Sequence, residues 1–433
     1  MSVRKYIAVG CFAAALYGCN GSDPVSPVAD PVMSSASPVS SVVALSSAST
    51  TTPTAYYYTL PTVANPLVAT NFYNLWKTKY YRTIEAEIAL GKDPLAIYYD
   101  QPISGSAPVA GSARILWDKS NSEYEGQYTV SEGIGYGMIL TYFANDPDAF
   151  LRLWGYHKAW RLPNTNIMDW QIKTFSSSLG GASATDADLD VATALLLGYK
   201  KWQNPALLND ALLIIASIWD KEIDKPSLLI RGGDTQMWDA GTRNPSYFSP
   251  VAFRLFAEVD PLHDWAGVLN ANYAYMEFVN ANGSGLFPDW ADNAGVPKKP
   301  ENGSANGTYS KYYMESIRIP WRLAWDYGWY GDPRAKTILT RMANFIIGTT
   351  GGDVTKIQDR YVYSGTPVSA GVARIGQIAS FCAVGMVDPN YMAWANSCTT
   401  YLNATPIGTD FNYFHHILQT MYAQLLNGQY VKP

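Results

Sequence analysis

Charged side chains make up only 15% of this 433-residue sequence, and its 31 Lys and Arg form no basic run, leaving a net charge of -5. A polyanion is bound through a cationic face, so nucleic acid is not expected as a partner. Histidine is scarcer still: His157, His263, His415 and His416 show no metal-ligand spacing. Asp188 and Asp190 lack the glycine and the terminal glutamate of a calcium loop, so neither metal nor cofactor is expected. Cysteine is limited to Cys11, Cys19, Cys382 and Cys398. The last two match no His and begin no nucleophile motif, which argues against thiol catalysis; a disulfide between them and two buried thiols are both open. The apolar run Ile7 to Leu16 is too short for a typical membrane span. Strand-like alternation between helical stretches is weak, which disfavours a β/α barrel.

What the chain has instead is apolar and aromatic mass: 48% hydrophobic residues, with 14 Trp and 31 Tyr. That suits a large core, and it equally suits a groove where flat rings stack on sugars. Arg4 and Lys5, the run after them and Leu16-Tyr17-Gly18-Cys19 read as a signal segment over 1–19. Its end resembles a bacterial lipobox with Cys19 as the lipidated residue, simple secretion being the alternative. Residues 20–55 are Ser, Thr, Pro, Val and Ala without period, a flexible linker, and 56–433 carry the fold. The expectation is an exported monomer, lipid-anchored to a bacterial membrane or cell surface, or else secreted or periplasmic.

Within 56–433 the punctuation is Asx-Pro: Asn65-Pro66, Asp146-Pro147, Asn204-Pro205, Asp260-Pro261, Asp332-Pro333 and Asp388-Pro389. An Asx side chain at the N-cap accepts from an unpaired N–H, and Pro at the next position has none to leave unpaired. From Pro147 onward these prolines recur about every 56 to 72 residues, the length of a helical hairpin with its loops. An amphipathic helix follows each, as with Leu208, Ala211, Leu212, Ile215 and Trp219. The segments before them, such as 134–144 and 191–199, are apolar all round and therefore buried all round. The pattern predicts outer helices 66–83, 147–161, 205–221, 261–280, 333–348 and 389–403. Inner helices are predicted at 132–144, 187–202, 247–258, 315–328, 370–386 and 412–427. Twelve alternating helices make an all-α fold, an (α/α)6 barrel. The short Asx-Pro turns share one face, and the long polar connections crowd the other, where function is expected.

Three acids stand at predicted inner-helix starts on that second face: Glu132, Asp186 and Glu315. A helix N-terminus favours an acid for electrostatic reasons alone. Three on one rim with Trp-rich loops fit glycoside hydrolysis, which needs one carboxylic acid and one carboxylate. The helix dipole lowers the pKa of an acid that must stay protonated. Burial against Tyr136 or Trp170 and repulsion from Asp186 have to raise Glu132. Gly133, Gly135 and Gly137 follow no strand and precede no Lys-Ser/Thr, so close approach of a neighbouring chain or sugar explains them better than a phosphate loop.

Ser131-Glu132-Gly133-Ile134-Gly135-Tyr136-Gly137-Met138 resembles the SEGxxYGM motif of glycoside hydrolase family 8. Ala184 to Asp190 is similar to that family's second signature, and Asn244-Pro245-Ser246-Tyr247-Phe248, Pro288-Asp289-Trp290, Arg318 with Pro320-Trp321-Arg322 and Asp326-Tyr327 fit it too. The resemblance implies an (α/α)6 barrel and an inverting, endo-acting hydrolase of β-1,4-linked glucan, xylan or chitosan, with polysaccharide as the partner. Thr185-Asp186-Ala187-Asp188 looks more like the glucan-active branches, so an endo-β-1,4-glucanase is expected first. Xylanase, chitosanase and mixed-linkage glucanase stay open, as does a surface glycan-binding lipoprotein without catalysis. By resemblance Glu132 is the general acid and Asp186 contacts the sugar at the cleavage point. Trp170, Trp238 and Tyr413 fall where family members place sugar platforms, and Tyr247, Trp290 and Arg318 join them as expected substrate contacts. Family members carry Asp in a Tyr-Asp-Ala-Thr-Arg-like stretch where this chain has Met314-Glu315-Ser316-Ile317-Arg318. Glu315 is the expected base, one methylene longer, with Asp239 or Asp289 as the fallback.

Overall fold

Four of the outer helices begin where an Asx side chain meets a proline. The computed structural model describes residues 56–91, 111–118, 126–173, 177–234, 241–300, 307–368 and 371–433. The signal, linker and lipidation readings, Cys19 included, and those for Trp238 and Asp239 lie outside the described residues. The helices are α1 (Pro66–Tyr80), α2 (Ile84–Ala89), α3 (Ser131–Phe143), α4 (Pro147–Ala159), α5 (Thr185–Trp202), α6 (Pro205–Glu222) and α7 (Pro250–Val259). They continue as α8 (Trp265–Asn280), α9 (Ile319–Tyr330), α10 (Pro333–Thr350), α11 (Ile375–Ala383), α12 (Met392–Ala404) and α13 (Tyr413–Leu426). Asn65, Asp146, Asn204 and Asp332 accept from the backbone N–H of Leu67, Ala149, Ala206 and Arg334 and start α1, α4, α6 and α10. Asp388 caps a single 3-10 turn that runs into α12.

Asp260 departs from the pattern. Its carboxylate takes Leu262 N–H, His263 Nδ1 at 2.7 Å and Trp265 Nε1 at 2.8 Å, so the chain turns once more and Asp264 caps α8 instead. The predicted helix 66–83 also stops early, at Tyr80. Tyr81–Thr83 (β1) pairs antiparallel with Ala113–Ile115 (β2), and Arg114 of β2 is locked to buried Glu87 of α2 at 2.7 Å.

Helices α3, α5, α7, α9, α11 and α13 each touch the next, and α13 returns to α3, closing an inner ring. Outside them, α1 packs on α13, α4 on α3, α6 on α5, α8 on α7, α10 on α9 and α12 on α11. This is an all-α fold, an (α/α)6 barrel. Every residue of 133–142 and 185–198 is buried, as an apolar surface on all sides demands. Gly135 lets α3 and α5 approach: a Cβ there would lie 3.0 Å from the Ala187 carbonyl oxygen and 3.0 Å from Asp190 Cβ. Between α5 and α9 the core is ionic, with Arg322 bidentate to Asp190 at 2.7 and 2.9 Å.

Inner helices pass to outer ones through short turns, such as 144–146 and 203–204, on one face. The opposite face carries the long returns 160–184, 223–249, 281–318 and 351–374. These contain 3-10 turns and antiparallel ladders of two or three residues. Cys382 of α11 and Cys398 of α12 form a disulfide, settling the alternative left open by the sequence and tying an inner helix to its outer partner. The bridge closes a sequence separation of 16 residues. Replacing both (C382A/C398A) is expected to lower the unfolding free energy by about 3 kcal/mol, from chain entropy for a loop of that size. Guanidinium denaturation of the two proteins measures it.

Candidate active site

One short ladder, one backbone hydrogen bond and one buried carboxylate place the acidic residues. Tyr128–Val130 (β3) pairs with Gln171–Lys173 (β4), and Ser131 N–H donates to the Trp170 carbonyl at 3.0 Å. That contact sets the first turn of α3, with Glu132 in it, beside the Trp170 loop. Asp186 is the second residue of α5, whose start is pinned by Thr185 N–H on the Gly232 carbonyl at 3.2 Å. Glu315 differs from the expectation: it precedes a 3-10 turn (Ser316–Arg318), and the α-helix begins only at Ile319. Asp289 holds it there. Its carboxylate accepts from the backbone N–H groups of Tyr313, Met314, Glu315 and Ser316, at 3.0 to 3.2 Å, and from the Ser316 hydroxyl at 2.8 Å.

These returns surround a cavity of about 270 Å³ lined by Glu132, Asp186, Glu315, Arg318, Trp117, Trp170, Tyr247, Met314, Tyr413 and Phe414, among others. Arg318, 1% exposed, sits at its floor. Its Nη1 lies 2.6 Å from Glu132 Oε2 and 2.7 Å from Asp186 Oδ2, and its Nη2 donates to Glu315 Oε2. Tyr413 donates its hydroxyl to Glu132 Oε1 at 2.9 Å, and Asn244 Nδ2 donates to Glu315 Oε2 at 2.8 Å. The guanidinium also lies 5.2 Å from the Tyr247 ring centroid.

One guanidinium among three carboxylates leaves the cluster acidic, which favours keeping a proton on one of them. Glu132 is that one. Burial, above all, and then the charges of Asp186 and Glu315 push it up to about 7, against the opposing pull of Arg318 and the Tyr413 hydrogen bond. Burial likewise raises the Asp289 carboxyl to about 7, with Glu315 adding to it.

A family model, Glycosyl hydrolases family 8, matches residues 104–428. The chain belongs to this family. It is 31% identical over 313 residues to Endoglucanase C of Ruminiclostridium cellulolyticum, covering 70% of this chain and 64% of that protein. It is 33% identical over 273 residues to Endoglucanase 2 of Ruminiclostridium josui, covering 61% of this chain and 56% of that protein. The matched part thus spans less than two thirds of either relative. A solved β-1,3-1,4-glucanase from Paenibacillus sp. X4 superposes with a TM-score of 0.72 at 23% identity, covering 88% of this chain and 97% of that one. That likeness is one of fold.

Of the family 8 residues expected at the site, Glu132, Asp186, Glu315, Trp170, Tyr247, Arg318 and Tyr413 all line the cavity. Trp290 is not among its lining residues; it packs edge-on against Tyr247, ring centroids 5.9 Å apart, and so supports a wall. Asp289, the fallback base, has its carboxylate committed to the Tyr313–Ser316 backbone and stays outside the lining. Trp117, Met314, Phe414 and Asn244 were given no site role from the sequence. Phe414 reads there as one more apolar residue of a buried helix, and Trp117 is isolated from any motif. Removing the anchor (Asp289→Ala) is expected to loosen the Glu315 segment and lower kcat by about 100-fold, as a misplacement of reacting groups by about 1 Å does. Steady-state kinetics, with hydrogen exchange at the 313–316 amides, reads both effects.

Proposed function

We propose that this family 8 chain is an endo-β-1,4-glucanase working by inversion, with Glu132 as general acid and Glu315 as general base. The observation that carries the reading is the pair itself. A carboxyl pushed up to about 7 shares one guanidinium with a second carboxylate, in an open cleft walled by aromatic rings. Glu132 gives its proton to the departing glycosidic oxygen as that bond breaks. Glu315 takes a proton from water as the water oxygen bonds to the anomeric carbon from the opposite side. Asp186, between them, faces the positive charge that develops on the sugar ring, and Arg318 pairs with all three carboxyls while burial keeps the proton on Glu132. Trp117, Trp170, Tyr247, Tyr413 and Phe414 offer flat faces to sugar rings on either side.

The relatives named endoglucanase support glucan as the first substrate, and the mixed-linkage glucanase with the same fold makes β-1,3-1,4-glucan the second. The Cys382–Cys398 bridge supports export to an oxidising compartment, in keeping with a signal over 1–19 and lipidation at Cys19.

Reducing-sugar release is expected from carboxymethylcellulose and barley β-glucan above xylan and chitosan. Binding without product from any of the four would leave only the glycan-binding reading. Glu132→Gln is expected to lower kcat at least about 100-fold while oligosaccharide affinity stays within about threefold, since only the proton donor is lost. Glu315→Gln with nearly full activity would remove Glu315 as base. Because the acid must be protonated, turnover should fall as pH rises through about 7, the value for Glu132. Proton NMR of the first product should show the α-anomer at the new reducing end.

A further inference from the structure

Behind Asp186 lies a second acidic pair that the hydrolytic scheme does not use. Glu222, the last residue of α6, is fully buried, as is Asp188, two positions past Asp186 on α5. Glu222 Oε1 accepts the Ser183 hydroxyl at 2.5 Å, while Oε2 has no donor. Asp188 Oδ1 accepts Met168 N–H at 3.1 Å, while Oδ2 has no donor. The two carboxyls face each other within hydrogen-bonding reach. Two ionised carboxylates in that arrangement would repel, and each would leave a buried oxygen unsatisfied. One proton between them satisfies both oxygens.

We infer that Glu222 is a positioning residue that clamps Asp186 from both sides, through the Ser183 hydroxyl on one flank and a proton shared with Asp188 on the other. The inference rests on Asp186 acting at the cleft, as proposed above. Among the described residues, neither carboxyl is ion-paired to a Lys or Arg. His157 of α4, with Nε2 3.7 Å from Asp188 Oδ1, is pushed well below the usual imidazole range by burial, and by Arg161 and Lys158. Asp186 on α5 and Asp234, which accepts Ser183 N–H at 2.8 Å, add only negative charge. Burial is the largest cause raising the Glu222 carboxyl, to about 8, and it raises Asp188 as well.

The sign of the pH dependence follows. The folded state holds this proton to a higher pH than the unfolded chain, so its contribution to stability is full below the unfolded carboxyl range and is lost as pH climbs to about 8. Glu222→Gln replaces the shared proton by an amide N–H toward Asp188 and keeps an acceptor for Ser183. The Tm of this variant minus that of the wild type should therefore become steadily more positive from pH 5 to pH 8, because the titrations common to both cancel. Its kcat on barley β-glucan should stay within about threefold of wild type, while Glu222→Ala should lose at least about tenfold in kcat with KM little changed. Ser183→Ala, which removes one arm and leaves almost no cavity, should lose several-fold in kcat and serves if Glu222→Ala does not fold. A Tm difference flat with pH would overturn the shared proton, and full kcat in Ser183→Ala or Glu222→Ala would overturn the clamp. Asp186→Asn is the separate control: full activity there would remove Asp186 from the site, whereas the Tm comparison judges the proton regardless.

Discussion

The guanidinium of Arg318 is the group on which the cleft depends. Three carboxylates gathered in a largely buried space would repel one another, and none would be tolerated there unpaired. Arg318 touches all three from the floor of the cavity, and it is itself held by the Glu315 carbonyl and the Tyr136 hydroxyl. Its single charge is too little for three anions. That deficit, together with burial, leaves Glu132 protonated near neutrality, so one electrostatic arrangement both holds the three carboxyls together and keeps a proton on one of them.

The barrel makes such an arrangement possible by bringing helix starts from distant sequence to one rim. One turn deeper, the Asp190–Arg322 pair of α5 and α9 repeats the Asp186–Arg318 contact, with Arg318 in the 3-10 turn that leads into α9. Further down, Asp326 of α9 takes Arg254 of α7 at 2.7 Å. The core between α5, α7 and α9 is thus neutralised rung by rung below the mouth.

Much of this was legible in the sequence because the signals were local. Asx-Pro with helical periodicity marks a cap and a face without reference to anything far away, and it located the twelve barrel helices. It failed where a side chain answered to tertiary partners: Asp260 serves His263 and Trp265 rather than α8. The same limit applied at the site. Glu132 and Asp186 stand in first helical turns and could be placed by pattern, whereas Glu315 sits in a turn shaped by Asp289. Nothing in Pro288-Asp289-Trp290 announces that its carboxylate will collect four backbone N–H groups from a segment more than twenty residues away. Trp290 is expected as a substrate contact by resemblance and becomes a buttress only once Tyr247 is seen in front of it. Phe414 is hidden for the opposite reason, as one apolar residue in a helix full of them.

The meeting of α1 and α13 has a consequence in time. Asn65 N–H donates to the Asn427 side chain at 2.8 Å, and Gln429 reaches the Pro66 carbonyl at 3.3 Å, so outer helix α1 is tied to the chain just past α13. The same α13 carries Tyr413 to Glu132. A chain emerging from the ribosome can form its early hairpins one by one, since their contacts are local. It cannot bury Glu132 against Tyr413 until α13 has been made. A copy that stops short of α13 therefore lacks the hydrogen bond that Tyr413 gives Glu132 in the complete barrel.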